Sequence, residues 1–185
     1  MRTNRIASRF AHCQVFVCAT VLAAIWILNG AAQSGVDPAL LKRLFPAATA
    51  FSPKGGDPPH IRALVGDPKS GAQTAIGLAF WTTELEPLER GYDGPIKILV
   101  GIDMKGVLAG IVVAEHHEPY GNFSIDPPQF SAQFKGKDVR DRFRVGMDVD
   151  AVSRASITIG SATRAIRNSA RRIARQYLAP PDAAN

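Results

Sequence analysis

The spacing of apolar residues sets out most of the elements. Ala162, Ile166, Ala170, Ile173 and Tyr177 recur at steps of four, four, three and four. That stripe predicts a helix from Ala162 onward with one buried face, closed by Pro180-Pro181. Two β-rich runs, Pro95–Ile102 (PIKILVGI) and Val107–Glu115 (VLAGIVVAE), flank the turn Asp103-Met104-Lys105-Gly106 and predict an antiparallel hairpin, entered sharply at Gly94-Pro95. Upstream, Asp37–Phe45 (DPALLKRLF) reads as a short helix capped by Asp37 with Pro38 in its first turn; Leu40, Leu41, Leu44 and Phe45 share a face, and Pro46 ends it. Phe51–His60 is dense in Pro and Gly and reads as loop. Strands are expected at Ile61–Val65 and Ala75–Thr82, with a turn over Gly66–Gly71 between them. Strands followed by one strong C-terminal helix predict an α+β fold, a mainly antiparallel sheet with flanking helices.

The first thirty residues follow another pattern. Arg2, Arg5 and Arg9 precede an apolar run of about 18 residues, Val15–Ala32, that ends on the small residues Gly30, Ala31 and Ala32. A positive start and an apolar stretch with a small-residue exit predict a signal peptide over residues 1–33, cleaved near Ala32 or Gln33. A retained anchor is the alternative. Either way, positive charge stays inside and the remainder is expected in the periplasm. The expected organisation is residues 1–33 signal, 37–178 one domain and 179–185 a tail. Net charge is +6, and removing the three leading arginines leaves +3, largely at the C-terminus. Export takes away a nucleic-acid target, so Arg164, Arg167, Arg171, Arg172 and Arg175, opposite the apolar stripe, read as a solvated face. Cys13 and Cys18 both lie in the exported segment, so a cleaved chain has no disulfide, no thiolate nucleophile and no cysteine metal site.

Candidate chemistry concentrates between hairpin and helix. Ser153, Ser156, Thr158 and Ser161 crowd a loop that leads into a helix N-terminus, a favourable place for a phosphate. On physics alone such a loop is more often a plain N-cap. The stretch Asp150-Ala-Val-Ser153-Arg154-Ala155-Ser156 resembles the flavinylation motif of the FMN-binding domain family of NosR, RnfG and NqrC: Asp, two residues, Ser or Thr, Gly, Ala, Thr. In that family the last hydroxyl is esterified to the FMN phosphate by a flavin transferase. The resemblance puts Ser156 at the acceptor place, with Thr158 as the fallback. Arg154 stands where the family has Gly; it cannot take positive φ as cheaply, though it can pair with a phosphate.

Other blocks resemble the same family in the same order, over roughly residues 40–178 and closest to the NosR branch. They are Leu44-Phe45-Pro46-Ala47-Ala48, Gly91-Tyr92-Asp93-Gly94-Pro95-Ile96 with Ile98–Asp103, and Glu115-His116-His117-Glu118-Pro119. Gly91 and Gly94 permit a close backbone approach, and Tyr92 between them offers a flat face to a ring system; the plain alternative is a turn with a packed tyrosine. His116 and His117 are adjacent, so two ligands to one metal are not expected; His117 is a candidate to pack on the flavin or relay a proton, or else an ordinary loop histidine. The implied cofactor is FMN and the implied partners are a flavin transferase and a membrane-bound redox protein, with no nucleic acid. The implied function is electron transfer, as a carrier rather than an enzyme with its own substrate. The competing reading is a binding or assembly module of the same fold that has lost its covalent flavin, which the changes at Arg154 and Ser156 keep open.

Overall fold

The first helix, α1 (Pro38–Leu44), forms where the sequence predicts it: the Asp37 carboxylate accepts a hydrogen bond from the Ala39 N–H at 2.8 Å, and Pro38 occupies the first turn. The computed structural model describes residues 35–67 and 71–178. The expected signal segment, the tail 179–185 and positions 68–70 of the 66–71 turn lie outside the described residues.

Five strands follow α1: β1 (Ala50–Phe51), β2 (Ile61–Gly66), β3 (Gln73–Trp81), β4 (Lys97–Asp103) and β5 (Leu108–Glu115). They pair in the order β1-β2-β3-β4-β5, each antiparallel to its neighbour. Short helices α2 (Thr82–Leu85), α3 (Gly121–Ser124) and α4 (Pro128–Ala132) fill the connections, and α5 (Ser156–Tyr177) ends the described chain. The fold is therefore α+β with an antiparallel sheet and flanking helices. The predicted hairpin is β4–β5, with Val100 opposite Ile111, and the Asp103 carboxylate accepts from the Lys105 and Val107 N–H groups across its turn.

Helices cover both faces of this sheet. Ile98, Val100 and Ile102 point one way, into a core with Leu78 and Phe80 of β3 and with Ile159, Ala162, Ile166, Ala170 and Ile173 of α5. Leu99 points the other way, with Ala79, Trp81 and Val112, toward Leu41, Leu44 and Phe45 at α1. Double coverage explains why β4 reads as a continuous apolar run rather than an alternating one. Burying each of its large side chains contributes about 1.5–3 kcal/mol. Phe45 reaches the sheet because Gly77 and Gly101 leave room. A Cβ on Gly77 would lie 2.6 Å from the Ile102 carbonyl oxygen and 2.7 Å from Phe45 Cζ.

Four expectations change in detail. Thr82 is not the end of a strand but the start of α2; its buried hydroxyl donates to the Ile96 carbonyl and accepts from the Ile98 N–H, both at 3.1 Å. The Phe51–His60 stretch is not wholly loop: Phe51 pairs with Ala63 in the sheet, and Gly55 and His60 form an isolated bridge. The long helix begins at Ser156, six residues before the apolar stripe announces it. Ser156, Thr158 and Ser161 are thus helical, with Thr158 and Ser161 buried. The arginines of α5 are not simply a solvated face. Arg164 pairs with Glu89 at 2.6 Å, Arg171 donates to the carbonyls of Val139 and Asp141, and Arg172 donates to that of Leu85. Among the described residues no helix is long and apolar enough to cross a membrane.

Gly77→Ala is expected to destabilise the protein by about 1–3 kcal/mol, because a backbone carbonyl cannot yield to the added methyl as a side chain can. Its urea midpoint should fall at unchanged slope. A midpoint equal to wild type would contradict the close approach of Phe45 and β4.

Candidate functional site

The start of α5 has an unusual local form. Ala155 is the N-cap residue, buried at 2% exposure, and it has no side-chain oxygen to cap the first turn. No acidic residue stands in that turn either. The free N–H groups there carry the positive end of the helix dipole. The residue before the cap, Arg154, has φ +67. That left-handed conformation suits the glycine of the motif it resembles and costs a side-chain-bearing residue roughly 1–2 kcal/mol.

A cavity of about 310 Å³ opens beside this turn, lined by Tyr92, Tyr120, Arg154, Ala155, Ser156, Ile157 and Thr158. Of the residues singled out in the sequence, it brings together Tyr92, Arg154, Ala155, Ser156 and Thr158. Ser153, Asp150, Gly94 and His117 are not among its lining residues. The Asp150 N–H is bonded to the Gln133 side chain at 2.6 Å, and His117 is exposed. The two candidate hydroxyls differ sharply. Ser156 is exposed at the first helical position, whereas Thr158 is 3% exposed and its hydroxyl donates to the Glu118 carboxylate.

Glu118 is the residue the sequence left without a role. Its carboxylate, 6% exposed, also accepts from the N–H of Tyr92 at 3.0 Å and that of Asp93 at 2.9 Å. One side chain therefore joins the loop carrying Tyr92 to the first turn of α5. Gly91 permits this approach, since a Cβ there would lie 2.6 Å from the Glu118 carboxyl carbon. Burial pushes the Glu118 pKa up, but the Thr158 hydroxyl and the Asp93 and Tyr92 amides outweigh it and hold the carboxyl below its usual value. His116 supports the turn from behind. Its Nδ1 accepts from the Glu118 N–H at 3.1 Å, which leaves the proton on Nε2 to donate to Asp126 at 2.7 Å. The only hint of Glu118 in the sequence was its place beside Pro119 in the Glu115–Pro119 block.

Two wall residues were also missed. Tyr120 packs against Phe123 with ring centroids 5.3 Å apart, and Ile157 is 57% exposed. With Tyr92, they give the cavity flat and apolar walls, while Ser156 adds a hydroxyl and Arg154 a cation. Such a combination suits a planar heterocycle bearing a phosphate, and the volume lies at the lower end of the ~300–1,000 Å³ range of ligand pockets.

Glu118→Gln should cost about 1–3 kcal/mol at neutral pH, because an amide nitrogen would face donors that need an acceptor. The sign with pH follows from the depressed carboxyl. Its contribution is present above the unfolded value of 4.5 and is lost as pH falls through the lower folded value. The stability gap between wild type and Glu118→Gln, measured by urea unfolding, should narrow below that pH. A gap that stays constant into strong acid would contradict the assignment.

No curated protein matches the chain. Residues 91–171 match the FMN-binding domain family. That stretch runs from Gly91 through β4, β5 and most of α5, and it contains Glu118 and every residue lining the cavity. That stretch, somewhat under half of the chain, is similar to an FMN-binding domain, and it indicates FMN as the cofactor.

Proposed function

We propose that this protein is an exported electron carrier whose FMN is joined through its phosphate to the hydroxyl of Ser156. The observation that carries the reading is the contrast between the two hydroxyls. Ser156 is exposed on the cavity wall, while Thr158 is buried and committed to Glu118. Only the first is open to a flavin transferase. The resemblance of Asp150–Ser156 to the flavinylation motif supports the same choice.

Bound FMN supplies the redox chemistry, taking up and giving back one or two electrons. The chain's own residues do the rest. Ser156 provides the attachment oxygen, the first turn of α5 faces the phosphate with N–H groups, and Tyr92 and Tyr120 offer faces to the ring. Glu118 keeps the loop and the helix start at a fixed separation. The protein exchanges electrons with a membrane-bound respiratory partner, and the likeness to the NosR branch supports that placement by analogy. The segment before residue 34, with its three arginines and apolar run, directs the domain across the membrane.

Two outcomes test this reading. Protein produced with a flavin transferase should carry an FMN-phosphate mass adduct on the peptide containing Ser156. Ser156→Ala should abolish the adduct with the fold intact, and Ser156→Thr should keep it. An adduct that survives Ser156→Ala assigns the attachment elsewhere. Separately, a reporter active only in the periplasm should work when fused after residue 60. Activity of a cytoplasmic reporter at the same junction would refute export.

A further inference from the structure

Among the described residues, Arg154 is a cation without a partner. It lines the cavity beside Ser156, and it makes no hydrogen bond or ion pair with another described residue. The other arginines close to α5's buried contacts are spent: Arg164 on Glu89, Arg171 on two carbonyls and Arg172 on a third. The nearby carboxylate of Glu118 is spent as well, on Thr158, Tyr92 and Asp93. Arg154 is also held at φ +67, where a glycine would sit without strain. The chain thus places a costly residue at a position whose backbone suits glycine, and puts an exposed arginine on the wall that carries the proposed attachment hydroxyl.

We propose that Arg154 binds the phosphate of FMN before and independently of any ester, and so selects phosphorylated flavin over riboflavin. This rests on the reading that FMN occupies the cavity at Ser156. A guanidinium offers two parallel N–H donors to two phosphate oxygens, a match that a neutral ribityl hydroxyl cannot make. It also neutralises an anion that would otherwise stand close to the Glu118 carboxylate. Non-covalent capture at this point would hold the phosphate against Ser156.

The test uses the full chain made without a flavin transferase, titrated with FMN and with riboflavin while flavin fluorescence is followed. Wild type should prefer FMN by about tenfold or more, the range of charge-assisted hydrogen bonds, and the preference should shrink as salt is raised. Arg154→Gly should weaken FMN binding by about the same factor and leave riboflavin unchanged. Its Tm should not fall, because glycine relieves the backbone, so lost binding cannot be ascribed to unfolding. Arg154→Lys should retain part of the preference. Equal binding of the two flavins by wild type, binding of neither, or an Arg154→Gly variant with unchanged FMN affinity overturns the proposal. Mass analysis of transferase-treated wild type reads the ester separately. An adduct at Ser156 without an Arg154-dependent preference removes this inference and keeps the attachment; a preference without an adduct does the reverse.

Discussion

One buried carboxylate holds the candidate site together. The cavity draws its walls from three stretches of chain, the loop at Tyr92, the turn at Tyr120 and the start of α5, and nothing in their local sequences brings them to one place. Glu118 does so, by accepting from the Thr158 hydroxyl on one side and from two amides of the Tyr92 loop on the other. Its own position is fixed in turn. It lies just past the end of β5, whose other residues are locked between β4 and the helices, and its N–H is tied to His116. A buried charge with fewer donors would cost more than it returned. With its donors in place, it sets the distance between a helix end and an aromatic loop.

The sheet makes that distance reproducible. β4 is covered on both faces, by α5 on one and by α1 with Phe45 on the other, so neither helix can slide without opening a cavity in a close-packed core. α5 is 22 residues long, about 33 Å, and is pinned by its apolar stripe and by arginines that reach across to the carbonyls of Val139 and Leu85. Its uncapped first turn is therefore presented at a fixed place. The order is sequence pattern, then a two-sided core, then a rigid helix whose start is left free to meet a phosphate.

Legibility in the sequence followed the strength of local pattern. The β4–β5 hairpin and the buried stripe of α5 were readable because each repeats a clear period, and α1 was readable from its cap, proline and apolar spacing. The first turn and a half of α5 was not. There Ile159 faces the core, but the other inward positions are Thr158 and Ser161, whose burial no hydrophobic period reveals. Thr82 escaped for a similar reason, since its hydroxyl serves two backbone groups 14 and 16 residues away. The cavity was partly legible: the motif likeness pointed to Ser156, Arg154 and Ala155, and the aromatic between two glycines pointed to Tyr92. Glu118 and Tyr120 depend on contacts between segments distant in sequence, which no local rule reports. Arg154 shows the opposite case. Its side chain departs from the motif, yet its backbone takes a left-handed conformation that favours glycine.

A small cavity with an attachment hydroxyl at its rim suits a cofactor that stays with its protein. If FMN is esterified at Ser156, its phosphorus is a diester, with no second ionisation near pH 6. Phosphorus NMR of the purified, flavin-loaded protein therefore tests the central claim most directly. The account predicts one resonance whose position does not move between about pH 5 and about pH 8, since a diester stays singly charged throughout. A resonance that shifts through that interval, as the phosphate monoester of free or merely adsorbed FMN does, would contradict it.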